Sequence, residues 1–518
     1  MMKELPIGIQ DFEMLRRDNL LYVDKTARLL DLIKNGRRYF LSRPRRFGKS
    51  LTLSTLEAMF SGKAELFYGL SAEEWVKGQK EKPCRVIRLD MSSLDGVTDS
   101  LSLNEALIRE LKNIARENGI EIQEITTCGV ALKNLIRTLG ERYGTVVILI
   151  DEYDKFILDN INNLNKAEDM RSVLRSFYTV LKSCDKYLRF VFITGISKFS
   201  KVGVFSAMNN LEDISMDERY GDIVGYTQIE LEDNFAEWLN DASLKMNIEN
   251  CELLKQLREY YDGFSFDGKT KLYNPFSVMQ CLKKARLSNY WYISGSPTFI
   301  VNYMRSHSIA DPETYRHLGV SADFSDSYEI ERSKPESFLF QSGYLTIEKW
   351  EGDEITLDYP NMEVLKSITR MYLENVYQVE RYITIGSELW KALNSGDILK
   401  VVELYNTALA RIPYEDFSKR DEYWYRSLFL MLLRGAGINV FGELHTHKGR
   451  SDLLIQLPKL IIVLEFKFAK QSTEIERKRI EGNSQILERD YAKSYEDKNY
   501  KIITAVIIAD DENHQVVT

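Results

Sequence analysis

Between Ser42 and Leu51 the chain reads Ser-Arg-Pro-Arg-Arg-Phe-Gly-Lys-Ser-Leu, which meets the pattern GxxxxGK[ST] at every required position but the first, where Arg43 stands for glycine. The run Tyr39-Phe40-Leu41 before it reads as a strand, and Leu51 to Phe60 after it reads as a helix. A loop in that setting gathers backbone N–H groups and a helix N-terminus around anionic oxygens, so it points to a nucleotide-phosphate site on an α/β sheet. Gly48 lets the backbone approach closely, Lys49 reaches the outer phosphates, and Ser50 is placed to hold Mg²⁺. The bland alternative, a Gly-Lys-Ser that merely caps an amphipathic helix, is opposed by the strand before it.

A second element supports the first. Thr145 to Ile150 is an unbroken apolar, β-branched run followed at once by Asp151 and Glu152. Such a run is a strand buried on both faces, and ligands bind beyond the C-terminal ends of such strands. Asp151 is then placed to hold Mg²⁺ through its water shell and Glu152 to polarise an attacking water, the division of labour ATP hydrolysis requires. A solvated acidic turn is the competing reading.

Upstream and downstream the first ~230 residues alternate strands with helices, as a parallel sheet demands. Arg85 to Leu89 reads as a strand, Asn104 as the N-cap of a helix running to Gly119, and Val130 to Tyr143 as a helix with Leu132, Leu135, Ile136 and Leu139 on one face. Asp169 to Cys184 is helical, and Leu188 to Ile193 is the next buried strand, ending at Thr194. Thr194 either senses the outer phosphate or positions water there, or its hydroxyl is satisfied by the neighbouring turn. Thr227-Gln-Ile-Glu230 is a capping box, and from it to about residue 340 the pattern is helical with aromatic turns such as Tyr273-Asn-Pro-Phe276. A small hairpin is expected within 341–360 and helices over Asn361 to Arg411.

Near the C-terminus, Gly449-Arg-Ser-Asp452 opens one apolar run and Leu460 to Leu464 leads to Glu465-Phe-Lys467, so the two runs read as a hairpin around Pro458. Period-2 alternation puts Glu465 and Lys467 on one face. Carboxylates of Asp452 and Glu465, with Glu443 as a third ligand, suit a hard divalent cation, and the ammonium of Lys467 would orient a water or stabilise charge in phosphodiester hydrolysis. An isolated Glu-x-Lys is otherwise a surface ion pair of little weight. His445 and His447 read as turn residues rather than ligands, and Gln485 and Tyr491 lie on a stretch that could flank the site.

Composition narrows the class. A 44% hydrophobic, 28% charged chain is that of a soluble globular protein, and no run approaches the ~20 apolar residues of a membrane span. No membrane role and a cytoplasmic location are therefore expected, since the N-terminus also lacks an apolar leader core. The five scattered cysteines imply neither zinc nor disulfides. A net charge of −8 argues against indiscriminate nucleic-acid coating, although His445 to Lys501 holds 12 Lys and Arg against 9 Asp and Glu.

Taken together, Phe40-Leu-Ser-Arg-Pro-Arg-Arg-Phe-Gly-Lys-Ser50, Ile150-Asp-Glu-Tyr-Asp154, Phe192-Ile-Thr-Gly-Ile-Ser-Lys-Phe199 and Gly449-Arg-Ser-Asp452 with Glu465-Phe-Lys467 closely resemble the bacterial family of predicted AAA-ATPase-like proteins carrying a C-terminal PD-(D/E)XK nuclease-superfamily domain. The resemblance covers essentially the whole chain. Its phosphate loop and Asp-Glu pair are the most specific parts, the Asp…Glu-x-Lys less so, and Thr194 least. It implies an α/β fold: a P-loop NTPase parallel sheet (1–230), a helical or winged-helix lid with a small hairpin (231–360), and preceding helices with a restriction-endonuclease-like α/β domain (361–518).

The resemblance further implies ATP and Mg²⁺, with Mn²⁺ as an alternative at the nuclease-like site. Arg43, Pro44, Arg45, Arg46, Phe47, Gly48, Lys49, Ser50 and Leu51, with Asp151 and Thr194, would surround the nucleotide; Ser50 and Asp151 would serve its metal and Glu152 its hydrolysis. Asp452, Glu465 and Lys467 would form the nuclease core. The Arg-Pro-Arg-Arg run is itself typical of the resemblance, so Arg43 is not read as disabling.

Two functions of different class follow. In one, an ATP cycle controls the access of nucleic acid, DNA or RNA, to a metal-dependent nuclease. In the other, the chain is a nucleotide-operated switch or scaffold whose nuclease-like domain binds nucleic acid or protein without cutting. Small-molecule kinase chemistry uses the same loop, but no acceptor pocket is recognisable. Homo-oligomers are common among ring-forming relatives of this ATPase class, and the resemblance leaves a ring open.

Overall fold

A computed structural model describes residues 2–122, 125–198, 211–293, 300, 312–325, 334–375, 377, 379, 382–412, 420–435, 438, 440–446, 449–457, 459–489 and 500–518 of the chain. The chain forms two compact units, Met1–Ile309 with Tyr315–Val364, and Ala310–Thr314 with Leu365–Thr518.

The first unit is built on a parallel sheet of β1 (Arg38–Ser42), β2 (Arg85–Asp90), β3 (Val146–Asp151), β4 (Leu188–Gly195) and β5 (Glu212–Asp213), in the order β2-β3-β4-β1-β5. Val146 to Ile150 of β3 are wholly buried, each worth roughly 1.5–3 kcal/mol on burial. Because β4 lies between β1 and β3, the loop after β1 and the carboxylates after β3 face each other across the tip of β4. That order comes from tertiary packing and is invisible in the strand–helix alternation.

Helices Ser100–Glu117, Cys128–Tyr143 and Leu164–Ser183 pack together beside the sheet. The first is capped at Asp99, five residues before the expected N-cap; Asp99 accepts from the Ser102 amide while the Ser102 hydroxyl accepts from the Asp99 amide. Asn104 is a cap after all, but of another helix: its Oδ1 accepts the Cys128 N–H at 2.8 Å. A tertiary contact decided between two local choices.

Helices Gln228–Met246, Asn250–Tyr261 and Pro275–Lys284 share a core of Leu231, Phe235, Leu253, Leu257, Val278 and Leu282. The Thr227–Glu230 capping box forms, and Lys25 pairs with Glu230 at 2.6 Å. The expected hairpin is β7 (Thr346–Glu351) with β8 (Glu354–Asp358), and β6 (Leu318–Ser321) adds a third antiparallel strand that the sequence pattern did not announce.

In the second unit, helices Tyr382–Ser395, Ile398–Leu409 and Glu422–Gly435 precede a sheet of β9 (Val440–Thr446), β10 (Gly449–Gln456), β11 (Leu460–Ala469), β12 (Lys501–Asp510) and β13 (Gln515–Val517), ordered β13-β12-β11-β10-β9. The β10–β11 pair is antiparallel, as expected; β11 and β12 run parallel, joined through the helix Ile475–Arg489 that packs on both. Among the described residues, no helix is long and apolar enough to cross a membrane.

Candidate nucleotide and metal sites

The loop between β1 and the helix Lys49–Phe60 is curled by two left-handed residues, Arg46 at φ 68° and Gly48 at φ 97°. Glycine meets the second without strain; arginine in this region does so at a cost of roughly 1–2 kcal/mol. The helix's first turn carries no acidic residue, so nothing there competes with an anion for its N–H groups. Lys49 is buried, and its Nζ donates to the carbonyls of Arg43 at 2.9 Å and Pro44 at 3.0 Å. Burial pushes the Lys49 ammonium toward neutrality, and Asp151, Glu152 and Asp154 oppose that.

Across the tip of β4, Asp151 is buried and its Oδ1 accepts from the Thr194 hydroxyl at 2.6 Å and from the Glu152 amide at 3.1 Å. Thr194 therefore neither points its hydroxyl at the cavity nor spends it on a turn; its partner is the carboxylate one strand away. Glu152 turns out of β3 in a left-handed conformation, φ 50°. Burial raises its carboxyl above the usual range, against the pull of Lys49. Asp154, buried, accepts from the amides of Ile196 and Ser197 and from the Ser197 hydroxyl, and Tyr153 donates its phenol to the Ser197 carbonyl. These bonds stitch the Asp151–Asp154 turn to the strand beside it, a task that nothing local to Tyr153 and Asp154 announces.

A cavity of about 440 Å³ opens at this point, a size suited to a nucleotide. Arg45, Arg46, Phe47, Gly48, Lys49, Ser50, Leu51 and Glu152 line it; Arg43, Pro44, Asp151 and Thr194 do not. Arg43 differs most from expectation. Its guanidinium is buried behind the loop, donating Nη1 to the carbonyls of Ser42 and Ser215 and lying 4.2 Å from the centre of the Phe266 ring, so only its main chain serves the site. Residues missed by sequence reasoning complete the wall: Tyr22, Val23, Lys155, Tyr226, Phe276, Met279 and Trp291. Of these, only Phe276 is marked in the sequence, by the aromatic turn Tyr273-Asn-Pro-Phe276.

In the second unit, Glu465 is wholly buried and Lys467 nearly so. Lys467 Nζ donates to Glu465 Oε1 and to the Phe466 carbonyl, each at 3.0 Å. Phe466 points the other way, its ring 5.5 Å from that of Phe429. Asp452 lies in β10 directly before Leu453, whose partner Leu464 directly precedes Glu465. The side chains of Asp452, Glu443 and His445, like His447 and Tyr491 altogether, lie outside the described residues. Gln485 sits on the helix Ile475–Arg489. The structure thus brings Glu465 and Lys467 together and sets the backbone of Asp452 on the adjoining strand.

A parallel sheet with a phosphate loop on one strand and a buried carboxylate two strands away defines a P-loop nucleotide-binding fold, here followed by a mixed five-stranded sheet carrying Glu-x-Lys. The chain belongs to the predicted AAA-ATPase family that carries a C-terminal PD-(D/E)XK nuclease-superfamily domain: residues 6–205 match the family described as Predicted AAA-ATPase and residues 420–518 the PD-(D/E)XK nuclease superfamily. It is 33% identical over 482 residues to a protein of Azotobacter chroococcum mcd 1 described as an uncharacterized protein in the vnfD 5' region, covering 90% of this chain and 89% of that relative. Among solved structures, the Aeropyrum pernix ORC1 protein in complex with DNA aligns over 83% of this chain and 88% of its own, at 9% identity and a TM-score of 0.26, too loose a likeness to carry an argument.

Proposed function

We propose that the chain binds ATP with Mg²⁺ in the cavity of the first unit and hydrolyses it in the cytoplasm, and that this cycle governs a metal-dependent nuclease in the second unit acting on nucleic acid. The observation that carries the reading is the arrangement of Lys49, Ser50 and Glu152 on one cavity, with Asp151 held beside them by Thr194.

Lys49 would leave the carbonyls of Arg43 and Pro44 for the phosphates, an exchange of neutral acceptors for anionic ones. Ser50 and Asp151 supply the hard oxygen ligands that Mg²⁺ prefers, and the ion would neutralise charge developing on the phosphates. Glu152, kept basic by its raised pKa, would orient the attacking water. Residues 231–360 are assigned as a lid over this site and 361–518 as the nuclease-like part. There Asp452 and Glu465, with Glu443, would hold Mg²⁺ or Mn²⁺, and Lys467 would stabilise charge at the scissile phosphate.

A second reading has its own support. Glu465 is sealed from solvent and already paired with Lys467, which suits a nuclease-like fold that binds without cutting.

Thermal stabilisation by MgATP, lost in Lys49→Ala, tests the first site. Mg²⁺-dependent cleavage lost in Lys467→Ala, with ATP binding intact, tests the second; equal cleavage by that variant, contaminating nuclease excluded, sinks the nuclease assignment.

A further inference from the structure

Five consecutive residues of the phosphate loop are gripped from residues 215–345 of the same unit. Arg43 donates to the Ser215 carbonyl at 2.6 Å and covers Phe266. Pro44 packs so tightly on Gly343 that a Cβ there would fall 2.6 Å from its Cγ. The Arg45 carbonyl accepts the indole N–H of Trp291 at 3.2 Å. Arg46 lies 4.7 Å from the centre of the Phe276 ring. Phe47 meets Phe264 edge-on at 4.9 Å, and its carbonyl accepts the Gly225 amide at 3.2 Å.

Three successive carbonyls of this loop are held, but by different hands. Those of Arg43 and Pro44 are tied to Lys49, the group an incoming phosphate would draw away. That of Arg45 is tied to Trp291, whose own place is fixed by its amide on Glu363 Oε1 at 2.8 Å and its ring against Tyr344 at 5.1 Å. In a trans peptide the carbonyl and the following N–H point in opposite directions. Holding the Arg45 carbonyl therefore aims the Arg46 N–H, on a residue already in the left-handed region, to the opposite side of the plane.

We propose that Trp291 is a positioning residue for the nucleotide: its indole N–H fixes the Arg45–Arg46 peptide plane so that the Arg46 N–H meets a phosphate, and its ring, part of the cavity wall, registers occupancy. This rests on the ATP reading above. Trp291→Phe keeps a ring and removes the donor.

The test uses the full chain. In Trp291→Phe the Kd for MgATP, from thermal-shift titration referenced to that variant's own nucleotide-free melting temperature, rises about three- to tenfold, the weight of one hydrogen bond. KM for ATP rises by the same factor with kcat unchanged. Trp291→His, which retains a ring N–H, recovers part of the loss. Wild-type tryptophan emission shifts on adding MgATP but not Mg²⁺ alone, and Trp291→Phe abolishes that shift.

Unchanged affinity in the Phe variant, or a wild type that binds MgATP with no change in emission, overturns the inference and leaves the ATP site standing. A wild type showing neither thermal nor emission response to MgATP overturns both. Should the Phe variant fail to fold, Trp291→His, compared with wild type in the same emission and thermal-shift titrations, decides.

Discussion

The hydroxyl of Thr194 donates to Asp151 Oδ1 at 2.6 Å, joining the tips of β4 and β3. The Thr194 hydroxyl and the Glu152 amide both bond Oδ1, so in the proposed ATP site Oδ2 is the oxygen that would face a metal-bound water. Thr194→Val keeps the shape and removes the donor. A buried acceptor without its partner costs about 1–3 kcal/mol, so denaturant unfolding should show a loss of that size, with Thr194→Ser close to wild type. A Val variant as stable as wild type would contradict the account.

Glu152 combines a left-handed backbone with a carboxyl raised by burial. Replacing it with Gln should lower kcat for ATP by about a hundredfold or more while MgATP still raises the melting temperature. Since only the carboxylate can accept a proton, turnover by the wild type should fall as pH drops through this elevated value, at a higher pH than an ordinary glutamate would set. Steady-state kinetics over pH provide the check.

Glu363 is buried and its carboxyl is pushed up to about 8, burial outweighing the bond from the Trp291 amide. The folded state therefore binds a proton that the unfolded state releases near 4.5, so stability falls as pH rises between those values and levels off above about 8. Its titratable neighbours Tyr260 and Cys281 are both displaced to about 12 and stay neutral across that window, as does Tyr261, raised further. Glu363→Gln should flatten the slope between pH 5 and 8 in denaturant unfolding, within about a unit at either end; an unchanged slope would assign it elsewhere.

Lys467 supplies a cation to the wholly buried Glu465. Its replacement by Met should cost about 3–5 kcal/mol in metal-free buffer, the penalty of breaking a buried pair. Millimolar Mn²⁺ should then recover more stability in this variant than in wild type, and none in Glu465→Gln. Calorimetry with and without chelator distinguishes these outcomes; a Met variant indifferent to Mn²⁺ would speak against a metal at this carboxylate.

What the sequence made legible were features written in short windows. The phosphate loop, the apolar run into Asp151, the Thr227–Glu230 box and the β10–β11 hairpin each depend on neighbours within a few residues. What it hid depends on distant partners. Asn104 has the chemistry of a cap, but nothing local says it caps the helix at Cys128. Arg43 carries charge beside a phosphate loop, and only Ser215 and Phe266, some two hundred residues on, turn it inward. Trp291 and Phe276 belong to no motif because an apolar cavity wall asks only for bulk and a face, which many residues provide. The parallel pairing of β11 with β12 escaped notice for the same reason.

The cavity takes part of its wall from the opening segment, through Pro6, Ile9, Leu21, Tyr22 and Val23. A fragment trimmed to begin at the first strand, as motif boundaries alone would suggest, would expose those apolar walls to water and lack a side of this cavity. Recombinant versions should keep these early residues, and bulky purification handles belong at the other terminus.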